Sequence, residues 1–149
     1  MKLPEIKISV KFKNKPLEDI ILNSPEKVLE IASKIFNKDT IEWTEEFIML
    51  CLSRSNNLLG YYRVSSGGTS GTIVDPKVVF SIALNSCAQA LIILHNHPSG
   101  NINPSEEDKR ITKRLKDAGS ILDIKVLDHL IIAPDGRYFS FNEQTSILD

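Results

Sequence analysis

The chain has 149 residues, 42% of them hydrophobic and 25% charged, with a formal net charge of -1. That length suits one compact domain able to bury about 70% of its unfolded surface, and the near-zero charge excludes a global attraction to phosphate, so nucleic-acid binding needs a local patch. Cys51 and Cys87 form no C-x-x-C pair and read as buried thiols of a reduced cytosol, which excludes a disulfide framework and a cysteine-rich zinc knuckle, and no apolar run approaches the ~18 residues of a membrane span.

The first residues, MKLPEIKISVKFKNK, lack the apolar stretch of a signal peptide, and a soluble cytoplasmic protein is expected. Residues 5–13 alternate, with Ile6, Ile8, Val10 and Phe12 on one side and mostly lysines on the other, which predicts a strand. Next come Ser24 as a cap, Pro25 at a first helical position, and Val28, Leu29, Ile31, Ala32, Ile35 and Phe36 at helical spacing, predicting a helix that ends near Asn37. The apolar runs EEFIMLCLS and NLLGYYRVS, divided by RSNN, predict two antiparallel strands joined by a tight turn. SSGGTSG, residues 65–71, reads as a loop facing the cleft; it lacks the Lys-Ser/Thr ending of a phosphate loop, so nucleotide binding is not expected.

Asp75-Pro76 signals the start of a buried helix through KVVFSIALN. AQALIILHNH, a run of strand formers between helical patterns, predicts a strand buried on both faces. SEEDKRITKRLKDAG predicts a third helix, with acids in its first turn, bases later and Gly119 as its stop. DIKVLDHLIIAP, the Asp135-Gly136 turn and RYFSF predict a terminal hairpin. Helices alternating with strands, then strands alone, give an α/β fold with a mixed β-sheet flanked by helices. No linker, repeat or low-complexity segment divides residues 1–149, so a single domain is expected, and nothing in the pattern sets an oligomeric state.

HNHPSGNINPSEED, residues 95–108, leaves the end of the predicted central strand, where open α/β sheets place ligands. Residues two apart on a strand face the same way, so His95 and His97 can aim both imidazoles at one point. Such a pair leaving a buried strand is costly unless something binds it. Catalytic zinc takes three protein ligands from His, Asp or Glu and keeps a position for water, which makes Asp108 the natural third. Ser105, three residues earlier on the same helix, then faces the water position. The same S-E-E-D is also a capping arrangement that accounts for Ser105 and Asp108 by itself. The two readings are compatible, because a cap fixes the helix end that presents a ligand.

The spaced pattern H-x-H, seven residues, then S-x-x-D resembles the metalloprotease signature of the JAB/MPN (JAMM) superfamily, and HNHPSG followed by PS..D is similar to its RadC branch. The likeness continues through EEFIMLCLSRSNNLL, GTSGTIVDPKVVFSIAL and LKDAGSILDIKVLDHLII. It covers residues 40–142 and leaves 1–39 as a strand-and-helix extension. The resemblance implies a layer architecture like that of cytidine deaminases, with His95, His97 and Asp108 as ligands of Zn2+ and Ser105 stabilising an oxyanion. It also implies an upstream glutamate as general base, which the pattern E-x-F places at Glu45, with Glu46 and Glu42 as fallbacks. Neighbours on a strand face opposite ways, so only one of Glu45 and Glu46 can reach the site. The implied activity is zinc-dependent hydrolysis of a peptide or isopeptide bond in a protein or peptide substrate.

The competing class is a DNA-repair or mobile-element-associated DNA-binding or accessory protein whose metal site is structural or vestigial. It would use the stripe Lys109, Arg110, Lys113, Arg114 and Lys116, although bases after an acidic first turn are also what the helix dipole favours. Residues 1–39 hold no G-x-G signature of the helix-hairpin-helix region that full-length relatives carry, so no DNA role follows by that route. A zinc phosphoesterase or nuclease is a third class. H-E-x-x-H and P-C-x-x-C are absent, which sets aside zincins and zinc deaminases. His129, in LDHL, reads as structural, with a contact to the metal histidines as its alternative.

Overall fold

Alternation decides how the sheet is covered. In the computed structural model, which describes residues 1–13, 18–67 and 73–149, every second side chain of β1 (Glu45–Leu52) faces the same way. Ile48, Leu50 and Leu52 join one buried cluster, and Phe47, Met49 and Cys51 join another. Strand β3 (Ala90–Asn96) splits likewise and is buried along its whole length, so its sequence must be apolar on both sides. Helix α1 (Pro25–Ile35) covers the first face through Val28, Ala32 and Ile35. The second face is covered by α2 (Pro76–Asn85) through Val79, Phe80 and Ala83, and by α3 (Glu106–Ile121) through Ile111 and Leu115. Each large aliphatic side chain buried in this way contributes about 1.5–3 kcal/mol.

The sheet has five strands in the order β2-β1-β3-β4-β5, where β2 is Leu58–Gly67, β4 is Lys125–Ile132 and β5 is Tyr138–Ser140. All neighbours are antiparallel except β3 and β4, which run parallel and are connected through α3. The predicted mixed sheet flanked by helices is the one observed. Ser24 caps α1 with Pro25 inside the first turn, and Asp75 caps α2, its side chain accepting from the Lys77 amide at 2.9 Å. Among the described residues no helix is long and apolar enough to cross a membrane.

Several expectations are corrected. Residues 5–13 form no strand, and Ile6 and Ile8 are 89% and 68% exposed. A two-residue period makes a strand only where the backbone pairs with a neighbour; residues 5–13 pair with none among the described residues, although the Phe12 ring lies 3.4 Å from where a Cβ of Gly60 in β2 would be, and it is residues 20–22 that bond at the turn into β2, through Leu58 N to Ile20 O and Leu22 N to Asn56 O. The expected loop at 65–71 is strand as far as Gly67, and its residues 68–71 lie outside the described residues. Helix α1 stops at Ile35, and Phe141 opens a short helix, α4 (Phe141–Gln144), instead of ending the last strand. Gly119 lies within α3: a Cβ there would sit 2.3 Å from the Ile124 carbonyl oxygen, so glycine permits a close approach, and the left-handed residue that follows the helix is Asp123 at φ 56°. Cys51 is buried as expected, but Cys87, held at φ 56° just past α2, is exposed.

Candidate metal centre

Strand parity delivers the first groups. His95 continues the Leu91, Ile93 side of β3 onto the α3 face, and it pairs in register with Phe47 of β1, two residues from Glu45 on that same side. Glu45 Oε1 lies in a short hydrogen bond with His95 Nε2. Glu46 points to the opposite face, where it accepts from Arg63 Nη1 at 2.7 Å while Arg63 Nη2 donates to the Ile35 carbonyl at 2.5 Å. Glu42 is exposed, on the wall of a neighbouring cleft. Of the three glutamates considered, the structure brings only Glu45 to the histidines.

His97 is set by the turn that follows. The Gly100 amide donates to the His97 carbonyl at 3.0 Å, with Pro98 at the second position and Gly100 at φ 81°, a conformation that favours glycine. This curl brings the Asn101 carbonyl within 2.6 Å of His97 Nδ1, which donates to it. Nδ1 is thereby committed to the Asn101 carbonyl, and Nε2 is the nitrogen turned toward the site.

Helix α3 brings the next group. Ser105 Oγ accepts from the Asp108 amide at 3.0 Å, and Asp108 Oδ2 accepts from the Ser105 amide at 2.8 Å, a reciprocal capping box. The box turns the Asp108 carboxylate inward, with Oδ1 3.3 Å from His95 Nδ1 and Oδ2 3.3 Å from His97 Nε2. Ser105 itself is exposed, and its hydroxyl proton is uncommitted among the described contacts. One ligand atom each from Glu45, His95 and His97 falls within 4.8 Å of the others.

This arrangement could hold a cation. His97 Nε2 faces the Asp108 carboxylate at 3.3 Å, and His95 Nδ1 is buried without a hydrogen bond. Burial alone would lower the pKa of His95, but the Asp108 and Glu45 carboxylates on either side outweigh it and hold the ring up to about 9. Burial also works to raise the Asp108 carboxyl, and the two imidazoles pull it far below the usual carboxylate range. Two imidazole nitrogens converging with carboxylate oxygens form a donor set that suits zinc, so the residues fit the group. In chelator-treated protein, His95 contributes stability that is full below its ordinary value of 6.5 and is lost as the pH rises through about 9. The melting temperature of that form is expected to fall between those two values and to fall less in His95→Asn; equal slopes would mean that His95 carries no charge there.

Two buried polar residues of the site were not anticipated. Asn96, the middle of H-x-H, faces away from the metal side and is fully buried. Its Nδ2 donates to the carbonyls of Ile41 and Thr44 at 3.0 and 2.9 Å, and its Oδ1 accepts from the Glu46 amide at 2.7 Å. It clamps the chain entering β1 on both sides of Glu45. The only hint in the sequence was an amide at a position where parity demands burial. The other is Thr112, one helical turn after Asp108, which lies between the Asp108 carbonyl and His129.

Beside His97 opens a cleft of about 490 Å3, walled by Glu42, Trp43, Pro98, Gly100 and Arg137, with Trp43 76% exposed. A larger concavity, about 960 Å3, lies at the opposite end of the sheet beside Ala90 and Lys125, and neither cleft is lined by Glu45, His95, His97, Ser105 or Asp108. The basic stripe of α3 is largely neutralised on its own helix: Lys109 pairs with Glu106, Arg110 with Glu107 and Lys113 with Asp117.

The RadC-like JAB domain family model matches residues 22–146 of the chain. A UPF0758 protein of Flavobacterium johnsoniae is 51% identical over 100 residues, which is 67% of this chain and 43% of that protein. A UPF0758 protein of Desulfitobacterium hafniense is 40% identical over 129 residues, 87% of this chain and 55% of that protein. Another, from Picosynechococcus, is 39% identical over 140 residues, 93% of this chain and 55% of that protein. The chain spans about half the length of the curated relatives it matches.

Proposed function

Because the chain belongs to the RadC-like JAB domain family, we propose that it is a zinc-dependent hydrolase of peptide or isopeptide bonds. Residues 40–142 form its catalytic core, and it acts in the cytoplasm on a protein or peptide substrate. His95, His97 and Asp108 hold the metal, the set whose nitrogens and oxygens already face one another at 3.3 Å. Zinc held there would supply a water acidified toward neutral pH and a Lewis acid for the scissile carbonyl. Glu45, on the same face as the histidines and only half-buried, takes up a proton at its carboxylate and returns it to the leaving nitrogen. Ser105, whose oxygen is already accepting from the Asp108 amide, donates its hydroxyl proton to the developing oxyanion. The cleft beside His97, with its exposed Trp43, gives the substrate chain a place to lie.

The observation that supports this reading best is His97: its Nδ1 is committed to the Asn101 carbonyl, so Nε2 is the nitrogen it turns toward the Asp108 carboxylate, 3.3 Å away. Metal analysis of the purified chain is expected to give one zinc per molecule, and a peptide and isopeptide library is expected to be cleaved until a chelator is added. Cleavage that survives the chelator would remove zinc from the chemistry, and protein free of metal after growth with zinc would remove the centre.

A further inference from the structure

His129 is completely buried on β4, wedged among aromatic rings. It stacks on Phe141 at 4.9 Å between centroids, meets Phe47 edge-on at 5.5 Å, and lies nearly parallel to the His95 ring at 6.0 Å. For packing alone, a hydrocarbon ring would serve better there, because His129 Nε2 is buried without a partner and an unsatisfied buried nitrogen costs about 1–3 kcal/mol. What the imidazole gains is at its other nitrogen. His129 Nδ1 lies 2.7 Å from Thr112 Oγ1, and Thr112 Oγ1 lies 2.5 Å from the Asp108 carbonyl oxygen. A hydroxyl has one proton, and a carbonyl can only accept. Thr112 therefore donates to Asp108 and accepts from His129, giving a directed chain from β4 through the helix to the backbone of Asp108.

The base of this chain is also fixed. Asp128 Oδ1 accepts from the His129 and Asn142 amides at 2.7 and 3.0 Å, and its Oδ2 accepts from Ser140 Oγ at 2.7 Å. The backbone and ring of His129 are thus both tied down, one to the end of the sheet and the other to α3.

We propose that His129 and Thr112 are positioning residues for the metal centre: the hydrogen-bonded chain sets how far the first turn of α3 stands from the sheet, and so where the Asp108 carboxylate meets His95 and His97. The inference rests on the metal reading above and adds to it two residues that touch no substrate. Side chains that orient metal ligands in this way are worth tenfold to a hundredfold in metal affinity. Capping alone cannot do the same, because the capping box fixes Asp108 relative to Ser105 on its own helix and not relative to the strand that carries the histidines.

The test is zinc affinity by competition with a chromophoric chelator, measured on the full chain beside thermal melts of the zinc-free form. Thr112→Val, which keeps the shape and removes the hydroxyl, and His129→Phe, which keeps the stack and removes the donor, are each expected to weaken zinc binding about ten- to a hundredfold. Thr112→Ser and His129→Asn, which restore a hydroxyl and an N–H donor, are expected to recover most of it. The Thr112→Val, His129→Phe double variant is expected to bind no worse than the weaker single, because either change breaks the same chain. Wild-type affinity in Thr112→Val or His129→Phe overturns the proposal. So does a loss that merely tracks the melting temperature across all four single variants, Thr112→Ser and His129→Asn included. Wild-type protein with no zinc affinity removes the metal reading underneath, which is a different result from either.

Discussion

His97→Ala is expected to release zinc while leaving the fold standing. The ring lies at the end of the turn with its side chain 15% exposed, whereas His95 is at 5% and packs against Phe47 and His129, so removing His95 would damage core and site together. Zinc bound by four protein donors is worth about 10–16 kcal/mol, or roughly 2.5–4 per donor, and the loss of one corresponds to about a hundred- to a thousandfold in affinity. Metal analysis after dialysis should therefore find the variant nearly empty, with a zinc-free melting temperature close to that of the zinc-free parent. Stoichiometric zinc in His97→Ala would place the metal elsewhere.

The second large effect belongs to Glu45. Glu45→Gln keeps the length and shape of the side chain and still offers His95 a carbonyl oxygen, but it cannot take up a proton. Zinc content is expected to stay at the wild-type level while kcat on any cleaved library peptide falls about 10²–10⁴-fold with KM little changed. Glu46→Gln is the companion measurement. It weakens a partly buried ion pair with Arg63 on the far face, so its cost should appear in stability instead of turnover. Wild-type turnover in Glu45→Gln would take the proton-transfer role away from that residue.

Much of this was legible because period-two and period-3.6 patterns survive wherever a face is buried. Ile48, Leu50 and Leu52 against Phe47, Met49 and Cys51 announce a strand covered on both sides, and that parity puts Glu45 and His95 together and sends Glu46 away. The convergence of His95, His97 and Asp108 followed from one strand, one turn and one cap, all local devices with local signatures. What stayed hidden depends on neighbours distant in sequence. Residues 5–13 have a strand's pattern but pair with no strand among the described residues, and Ile6 and Ile8 stay exposed. Gly119 looks like a helix stop until the Ile124 carbonyl is seen 2.3 Å from where its Cβ would be. Asn96 and Thr112 are ordinary polar letters whose partners, Ile41, Thr44 and His129, come from other elements.

The turn that fixes His97 and the cap that aims Asp108 lie on one continuous stretch, while Glu45 arrives fifty residues earlier in the chain, held against β3 by strand pairing and the Asn96 clamp. His95, His97 and Asp108 are brought together by closing a short loop at small entropic cost, and Glu45 joins them only across a long one. A molecule in which the β1–β2 hairpin has detached from β3 would thus keep His95, His97 and Asp108 close together and lose Glu45 from their side.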